Sequence, residues 1–166
     1  FPLPEAQVDR FVVKTSLGFP SLSGELELID RRADRTDQTP SVSTICSPEQ
    51  IERLREAPEH VHVEDDLRQY IAALTRATRA DDRVKGGVSP RGTQRLFEAS
   101  RAMACVQGRE FAAPKDVKAV ARPVLAHRLV LTADARVDTV EKTDVIADIL
   151  DAEQVPTINY QDPVSA

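Results

Sequence analysis

The stretch GGVSPRGTQRLFEASRAMACVQGREF, residues 86–111, carries the signals for both ends of one helix. Ser89 is a favourable N-cap, and Pro90 suits the first helical position, where an N–H group would have no partner within the helix. Gly108 follows the last apolar position of the helical pattern and is typical of a helix end. We therefore predict an amphipathic helix that begins at Pro90 and ends just before Gly108.

Arg91 stands at an electrostatically unfavourable place in this helix. The first turn of a helix carries partial positive charge, so the helix itself does not stabilise a cation there. Either the side chain is a tolerated surface group or its guanidinium faces an anion. Arg10 is a second arginine in an unusual position, because it ends a short helical segment directly before a predicted strand. Each arginine alone is weak evidence for a binding site, since most such side chains are simply solvated.

The segments that flank the central helix are also helical in pattern. The sequence Ser47-Pro48-Glu49-Gln50 is a capping box, which predicts a helix to about residue 56. Apolar residues at helical spacing predict further helices over residues 64–80, from 114 to about 128 and over 143–152. Pro123 falls inside the second of these and predicts a kink or an early end. Residues 61–63 read as a short extended segment, and 81–88 as a charged loop.

The first third of the chain has a different pattern. Residues 11–17, FVVKTSL, are rich in β-branched residues and predict a strand, and residues 21–32 then show helical spacing. A strand followed by a helix is typical of the last unit of an α/β domain. We predict that residues 1–33 are the end of such a domain, 34–47 a linker, 48–152 a helical domain and 153–166 a loosely ordered tail.

Composition narrows the functional class. The chain has 166 residues and a net charge of −5, which disfavours a general binder of nucleic acid. The two cysteines, Cys46 and Cys105, match no metal-binding spacing and read as free thiols, so we predict a cytoplasmic protein. No apolar run reaches the ~20 residues of a membrane span, and no signal-peptide pattern is seen at the start.

Catalytic and metal-binding motifs are missing from the sequence. It contains no GxxxxGK[ST] phosphate loop, no HExxH and no GxSxG. His60 and His62 alternate along the extended segment without a third ligand nearby, so we predict solvated histidines and no metal site. His127 and Arg128 follow a helical run and read as cations near a helix C-terminus.

Two segments resemble the carboxy-terminal half of the MoxR family of AAA+ ATPases. They are PLPEAQVDRFVVKTSLGFPS, residues 2–21, and the run from GGVSPRG through GREFAAPKDVKAVARPVLAHRLVL, residues 86–131. The resemblance implies a mostly helical chain. Residues 1–33 would be the end of the AAA+ core, with one strand and one or two helices, and residues 48–152 the helical lid.

The resemblance also implies a function. Such proteins are ring-forming ATPases, hexameric in the family, which bind ATP and Mg²⁺ and act as chaperone-like remodelers, often beside partners with von Willebrand factor A domains. Arg10 of the DRF run looks like the arginine finger that reaches the nucleotide of the neighbouring subunit. Arg91 of the SPR run looks like the sensor-2 residue that reaches the γ-phosphate in its own subunit. No nucleic acid and no membrane is expected as a partner.

The departures from the family pattern limit this expectation. The phosphate loop and the acidic Mg²⁺ motif (Walker A and Walker B) lie upstream in the family and are absent here, so this chain alone should not hydrolyse ATP. We therefore expect it to be a truncated gene product, a fragment of a longer chain or a degenerate relative. Ala113 stands where an N-cap Ser or Thr is usual, and Gly92 stands where a better helix former is expected.

Two other functions remain open at this point. One is a stand-alone, lid-derived helical module that binds a protein partner without nucleotide chemistry. Arg10 and the strand after it speak against this reading, because a strand with no sheet to join is an aggregation-prone edge. The other is a helical binder of nucleic acid, which the acidic net charge disfavours.

Overall fold

The structure, a computed structural model, describes residues 3–36 and 42–157. The helices within these ranges are α1 (Glu5–Val8), α2 (Leu22–Ala33), α3 (Pro48–Glu56), α4 (Asp65–Ala80), α5 (Pro90–Val106), α6 (Pro114–Leu125), α7 (Ala133–Val137) and α8 (Lys142–Ala152). Two strands, β1 (Val84–Gly86) and β2 (Val130–Leu131), and two 3₁₀ turns, Ala57–His60 and Ala126–Arg128, complete the order. The predicted fold class, mostly helical, is confirmed.

The core lies in a bundle formed by α4, α5, α6 and α8. Helix α5 packs against α6 and α4, and α8 covers α4 and α6 from the other side. The hydrophobic side chains that meet in this bundle are aliphatic apart from Tyr70, in keeping with the scarcity of aromatic residues. The largest fully buried ones are Leu67, Ile71, Leu74, Leu96, Leu125, Leu129, Ile146, Val88, Val117, Val124 and Val145.

Both predicted ends of α5 are confirmed. The Ser89 hydroxyl accepts a hydrogen bond from the Gly92 N–H at 3.2 Å, which satisfies one of the free donors of the first turn. Gly108 follows the C-cap with φ of +70°, the left-handed conformation that glycine adopts at low cost.

The start of α5 is fixed against α4. The Val88 N–H donates to the Thr78 hydroxyl at 3.0 Å, and the Val88 carbonyl accepts from Arg79 Nε at 2.8 Å. At Gly87 the backbone passes so close to α4 that a Cβ would lie 2.8 Å from the Arg79 Cα and the Thr78 carbonyl oxygen. The position of Arg91, at the second residue of α5, is therefore set by α4.

A small antiparallel sheet replaces part of the predicted 81–88 loop. Val84 pairs with Leu131 and Gly86 with Val130, with an irregularity in register between the two pairs. Arg83 then joins this sheet to α8, because its guanidinium contacts Asp81 at 2.8 Å and Asp148 at 2.6 Å. The predicted extended segment at 61–63 is confirmed as an isolated bridge, which pairs His62 with Phe111.

The predicted strand at residues 11–17 does not form in the described part of the chain. A strand is defined by a ladder with a neighbour, and the sheet of the described residues pairs β1 with β2 alone. Segment 11–17 instead contacts the helical bundle, where the Lys14 N–H donates to the Pro123 carbonyl at 2.9 Å. The predicted helix at 21–32 is observed as α2, which has no buried residue.

The domain boundaries stay predictions. The proposed linker, 34–47, includes residues 37–41, and most of the proposed tail, 158–166, also lies outside the described residues. In the ranges that are described, no helix combines the length and apolar character needed to cross a lipid bilayer.

Candidate functional site

Both arginines singled out in the sequence are exposed. Arg91 is the second residue of α5, and Arg10 follows α1. Within residues 3–36 and 42–157, neither side chain makes a hydrogen bond or an ion pair. The first turn of α5 also contains no acidic residue that could neutralise Arg91. Both guanidinium groups are therefore available to an external anion.

A hydrogen bond between Asp9 and Ser89 brings the two arginine-bearing segments together. The Ser89 hydroxyl donates to the Asp9 carboxylate, at 3.0 Å from one oxygen and 3.2 Å from the other. Asp9 immediately precedes Arg10, and Ser89 is the N-cap of the helix that carries Arg91. Two segments 80 residues apart in sequence thus meet at one corner of the molecule.

The buried side chain of Arg128, in the turn after α6, binds the chain segment around Arg10; we call this set of contacts the clamp. Its side chain is only 1% exposed, and its Nε donates to the Asp9 carboxylate at 3.1 Å. Nη2 donates to the carbonyls of Asp9, at 3.2 Å, and Phe11. Nη1 donates to the carbonyls of Val12, at 3.3 Å, and Val124. One guanidinium therefore binds three carbonyls of the Arg10 segment and one of α6.

The charge on Arg128 is balanced inside the protein. Burial lowers the pKa of the guanidinium from its ordinary value, whereas the charge and hydrogen bond of Asp9 act in the opposite direction. Arginine stays protonated in proteins, so this is a largely desolvated ion pair. Its place after a helical run predicts a helix-end cation at Arg128, and no role is predicted for Asp9. The available signal was a pair of opposite charges, one in each segment that resembles the family.

Gly92 is explained by its contact with this clamp. The residue is buried, and a Cβ at this position would lie 2.4 Å from Val88 Cγ1 and 2.9 Å from Arg128 Cδ. Both distances are shorter than a real Cβ contact allows. The glycine stands where a better helix former is expected, and it lets Arg128 pack directly on the first turn of α5.

We expect Gly92→Ala to destabilise the protein by about 1–3 kcal/mol, the usual cost of overpacking a core. Alanine normally stabilises a helix relative to glycine by up to about 1 kcal/mol, so the expected sign is opposite to the helix propensity. Denaturant unfolding measures the difference. Gly18→Ala is the control, because a Cβ there meets nothing within 4 Å. A Gly92→Ala protein as stable as the wild type would contradict the close packing.

His127 lies beside the clamp and is half-buried. Its Nε2 is 2.8 Å from Arg128 Nη1 and 3.2 Å from the Phe11 carbonyl, and its buried Nδ1 has no hydrogen-bond partner within the described residues. Burial lowers the pKa of His127, and the charges of Arg128 and Lys14 lower it further against the opposing effect of the Phe11 and Pro123 carbonyls. The imidazole is therefore neutral at pH 7, and the prediction of a helix-end cation is wrong for His127.

The lowered pKa of His127 predicts a loss of stability in acid. Below its ordinary pKa of about 6.5, the unfolded chain takes up a proton at His127 that the folded chain resists. The unfolded state then binds more protons, so the free energy of unfolding falls as the pH falls from about 7 towards 5. We expect His127→Gln to make this decrease shallower in unfolding measured across that range. The matched control is His60→Gln, at an exposed histidine. An unchanged slope in His127→Gln would contradict the prediction.

A second buried ion pair supports the loop between α5 and α6. Arg109 Nη1 and Nη2 contact the two oxygens of Asp116 at 2.8 and 2.5 Å, and the Asp116 side chain is 1% exposed. The same carboxylate accepts the Ala113 N–H at 2.8 Å. Asp116 therefore binds the backbone N–H of Ala113, at a helix start where no N-cap side chain accepts a hydrogen bond.

Comparison with known proteins identifies the family. Residues 76–149 match the family model of the AAA lid domain. The chain is 36% identical over 168 residues to Chaperone MoxR1 of Mycobacterium tuberculosis, and 33% identical over 150 residues to protein MoxR of Paracoccus denitrificans. The chain belongs to the MoxR family of AAA+ ATPases. The matched lid residues contain Arg91 and Arg128, whereas Asp9 and Arg10 precede them.

A solved structure supports the same family assignment for this chain. The crystal structure of a candidate ATPase from Cytophaga hutchinsonii aligns with a TM-score of 0.87 and 30% identity, over 95% of this chain and 50% of that one. The alignment with Chaperone MoxR1 covers 96% of this chain and 44% of that protein. The alignment with the Paracoccus protein covers 80% of this chain and 44% of that protein. The chain thus spans about half the length of the curated relatives it matches. Its fold corresponds to the end of an AAA+ core followed by the lid.

Proposed function

We propose that this chain supplies two arginines to ATP hydrolysis in a MoxR-family ring. Arg10 is the arginine finger for the nucleotide of the neighbouring subunit, and Arg91 is the sensor-2 residue for the γ-phosphate of its own subunit. The observation that carries the proposal is the availability of both guanidinium groups to an external anion. Both guanidinium groups are exposed and unpaired within the described residues, on segments joined by the Asp9–Ser89 hydrogen bond.

The chemistry of phosphoryl transfer suits this arrangement. ATP with Mg²⁺ supplies the reactive phosphoanhydride and a metal that neutralises the phosphate oxygens. A guanidinium offers parallel N–H donors that match two phosphate oxygens, and it stays charged at all relevant pH values. The first turn of α5 contains no carboxylate that could pair with Arg91, and the helix dipole does not stabilise a cation there. A phosphate group would supply the missing negative charge.

The remaining parts of an ATPase site are not supplied by this chain. Its sequence has no phosphate loop, and within the described ranges no three His, Cys, Asp or Glu side chains are grouped to hold a metal ion. We propose that ATP and Mg²⁺ are held mainly by the core that family members carry upstream. The chain alone is then expected to bind neither tightly and to show no ATPase activity.

The proposed assembly follows from the two arginines. A finger that acts on a neighbour requires contact between subunits, and the family resemblance gives a closed hexameric ring as the expected form. One relative is named a chaperone, which supports a remodelling role. A cytoplasmic location is proposed from the two cysteines, which read as free thiols. A partner with a von Willebrand factor A domain is proposed on the family resemblance. The stand-alone interaction module is less well supported, because it gives no role to an exposed Arg10 held next to the start of α5.

The first test is the coding DNA directly upstream of Phe1. A phosphate loop followed by an acidic Mg²⁺ motif in the same frame would support the ATPase role. A genuine start codon with an unrelated neighbour would leave partner binding as the function to test.

Arg91→Ala is expected to lower ATP hydrolysis by the complete gene product at least about 100-fold, because an arginine that contacts the transferring phosphate stabilises charge in the transition state. Steady-state kinetics and nucleotide binding separate the effect on hydrolysis from that on affinity. Arg76→Ala is the matched control, since Arg76 is an exposed arginine on α4 outside this corner. A rate within threefold or so of wild type would exclude the sensor-2 role.

A further inference from the structure

We propose that Arg128 is a positioning residue that couples Arg91 to Arg10, so that nucleotide contact in one subunit is transmitted to the site of the next. This inference rests on the proposed function of the two arginines. It assigns a role to a buried residue that touches no nucleotide itself. The coupling runs from α5 through Arg128 and Asp9 to the backbone around Arg10.

The contacts of Arg128 fix the backbone on both sides of Arg10. Its Nη2 donates to the carbonyls of Asp9 and Phe11, the residues directly before and after Arg10. Its Nε donates to the Asp9 carboxylate. Arg10 therefore sits on a short stretch of chain whose position is set by one guanidinium, while its own side chain remains in solvent.

The same residue is packed against the first turn of α5. Gly92 lies so close to Arg128 Cδ that not even a Cβ fits between them. The Asp9 carboxylate reaches α5 as well, through the hydroxyl of Ser89 that also caps the helix. A movement of the first turn of α5 thus displaces both ends of the Asp9–Arg128 ion pair.

This geometry links two sites that belong to different nucleotides. When Arg91 is drawn towards a phosphate, α5 moves together with α4, which holds its start, and the contacts of Arg128 carry that movement to Arg10. A coupling of this kind requires a physical element shared by both sites, and the ion pair is such an element. Its effect would be measured as cooperativity of hydrolysis with respect to ATP.

The test compares the complete gene product with its Asp9→Asn and Arg128→Lys variants. Asp9→Asn keeps the shape of the side chain and removes its charge, whereas Arg128→Lys keeps the charge and removes the fork. We expect a Hill coefficient for ATP clearly above one in the wild type and close to one in both variants, with a maximal rate reduced by no more than about tenfold. Asp148→Asn is the matched control, because it removes another carboxylate–arginine contact, with Arg83, away from this corner.

The free energy of unfolding of the wild type and both variants is measured as well. If Arg128→Lys does not fold, the Hill coefficient of the milder Asp9→Asn variant is the test. A wild-type Hill coefficient of one, or an unchanged coefficient in folded Asp9→Asn, would overturn the coupling. The Arg10→Ala and Arg91→Ala variants are measured in parallel, to separate the proposed role of the arginines in hydrolysis from the proposed coupling. If these two lose hydrolysis while Asp9→Asn keeps full cooperativity, only the coupling fails. If they keep the wild-type rate, the proposed function fails and the coupling with it.

Discussion

Replacing Arg10 by alanine should lower the maximal rate of ATP hydrolysis by the complete gene product about 10³-fold or more, the range measured for arginine fingers. The reason is that a finger stabilises charge that develops only in the transition state. Affinity for ATP should stay close to wild type, because the finger acts from the neighbouring subunit. The side chain is exposed and unpaired within the described residues, so its removal should leave the fold unchanged.

Two further variants make this result specific. Arg10→Lys keeps a positive charge but loses the planar fork, so it should recover little of the lost rate. Arg53→Ala removes an exposed arginine from α3 and should retain wild-type hydrolysis. An Arg10→Ala enzyme within a few-fold of the wild-type rate would exclude the finger.

Replacing Asp116 by alanine should lower the free energy of unfolding by about 3 kcal/mol, within the range for breaking a buried ion pair. The substitution removes the carboxylate that faces Arg109 and also the acceptor of the Ala113 N–H. Both losses fall in the loop that joins the two most closely packed helices, α5 and α6. Denaturant unfolding of the chain measures the change.

The comparison for Asp116 is a solvent-exposed pair. Glu52 contacts Arg55 in α3 at 3.1 Å, with both side chains more than half exposed. Such pairs contribute about 0–1 kcal/mol, so Glu52→Ala should change stability little. If Asp116→Ala costs no more than Glu52→Ala, the buried pair does not hold this loop.

The helices were predictable from the sequence because their signals are local. Ser89, Pro90 and Gly108 mark the ends of α5, and the Ser47 capping box marks the start of α3. The β1–β2 sheet was missed because strands of two or three residues carry no periodicity, and their pairing joins residues about 45 positions apart. The strand predicted at 11–17 failed for the related reason that β propensity does not provide a partner strand.

The candidate site also contains residues that the sequence predicts and residues that only the fold reveals. Arg10 and Arg91 were found from short runs that resemble a known family. The contact between Asp9 and Arg128 joins residues 119 positions apart, and two opposite charges in a single sequence do not by themselves indicate that they pair. Gly92 was misread because its role depends on the nearness of Arg128, which only the fold provides.

The most direct test of the two arginine roles mixes Arg10→Ala and Arg91→Ala subunits of the complete gene product. Each variant alone should be inactive. In a randomly mixed ring, half of the subunits keep Arg91 and half of their neighbours keep Arg10, so about a quarter of the sites regain both arginines. We expect recovery of about a quarter of the wild-type hydrolysis rate at equal amounts of the two variants. No recovery from rings shown to contain both variants would contradict a finger acting between subunits and a sensor acting within one.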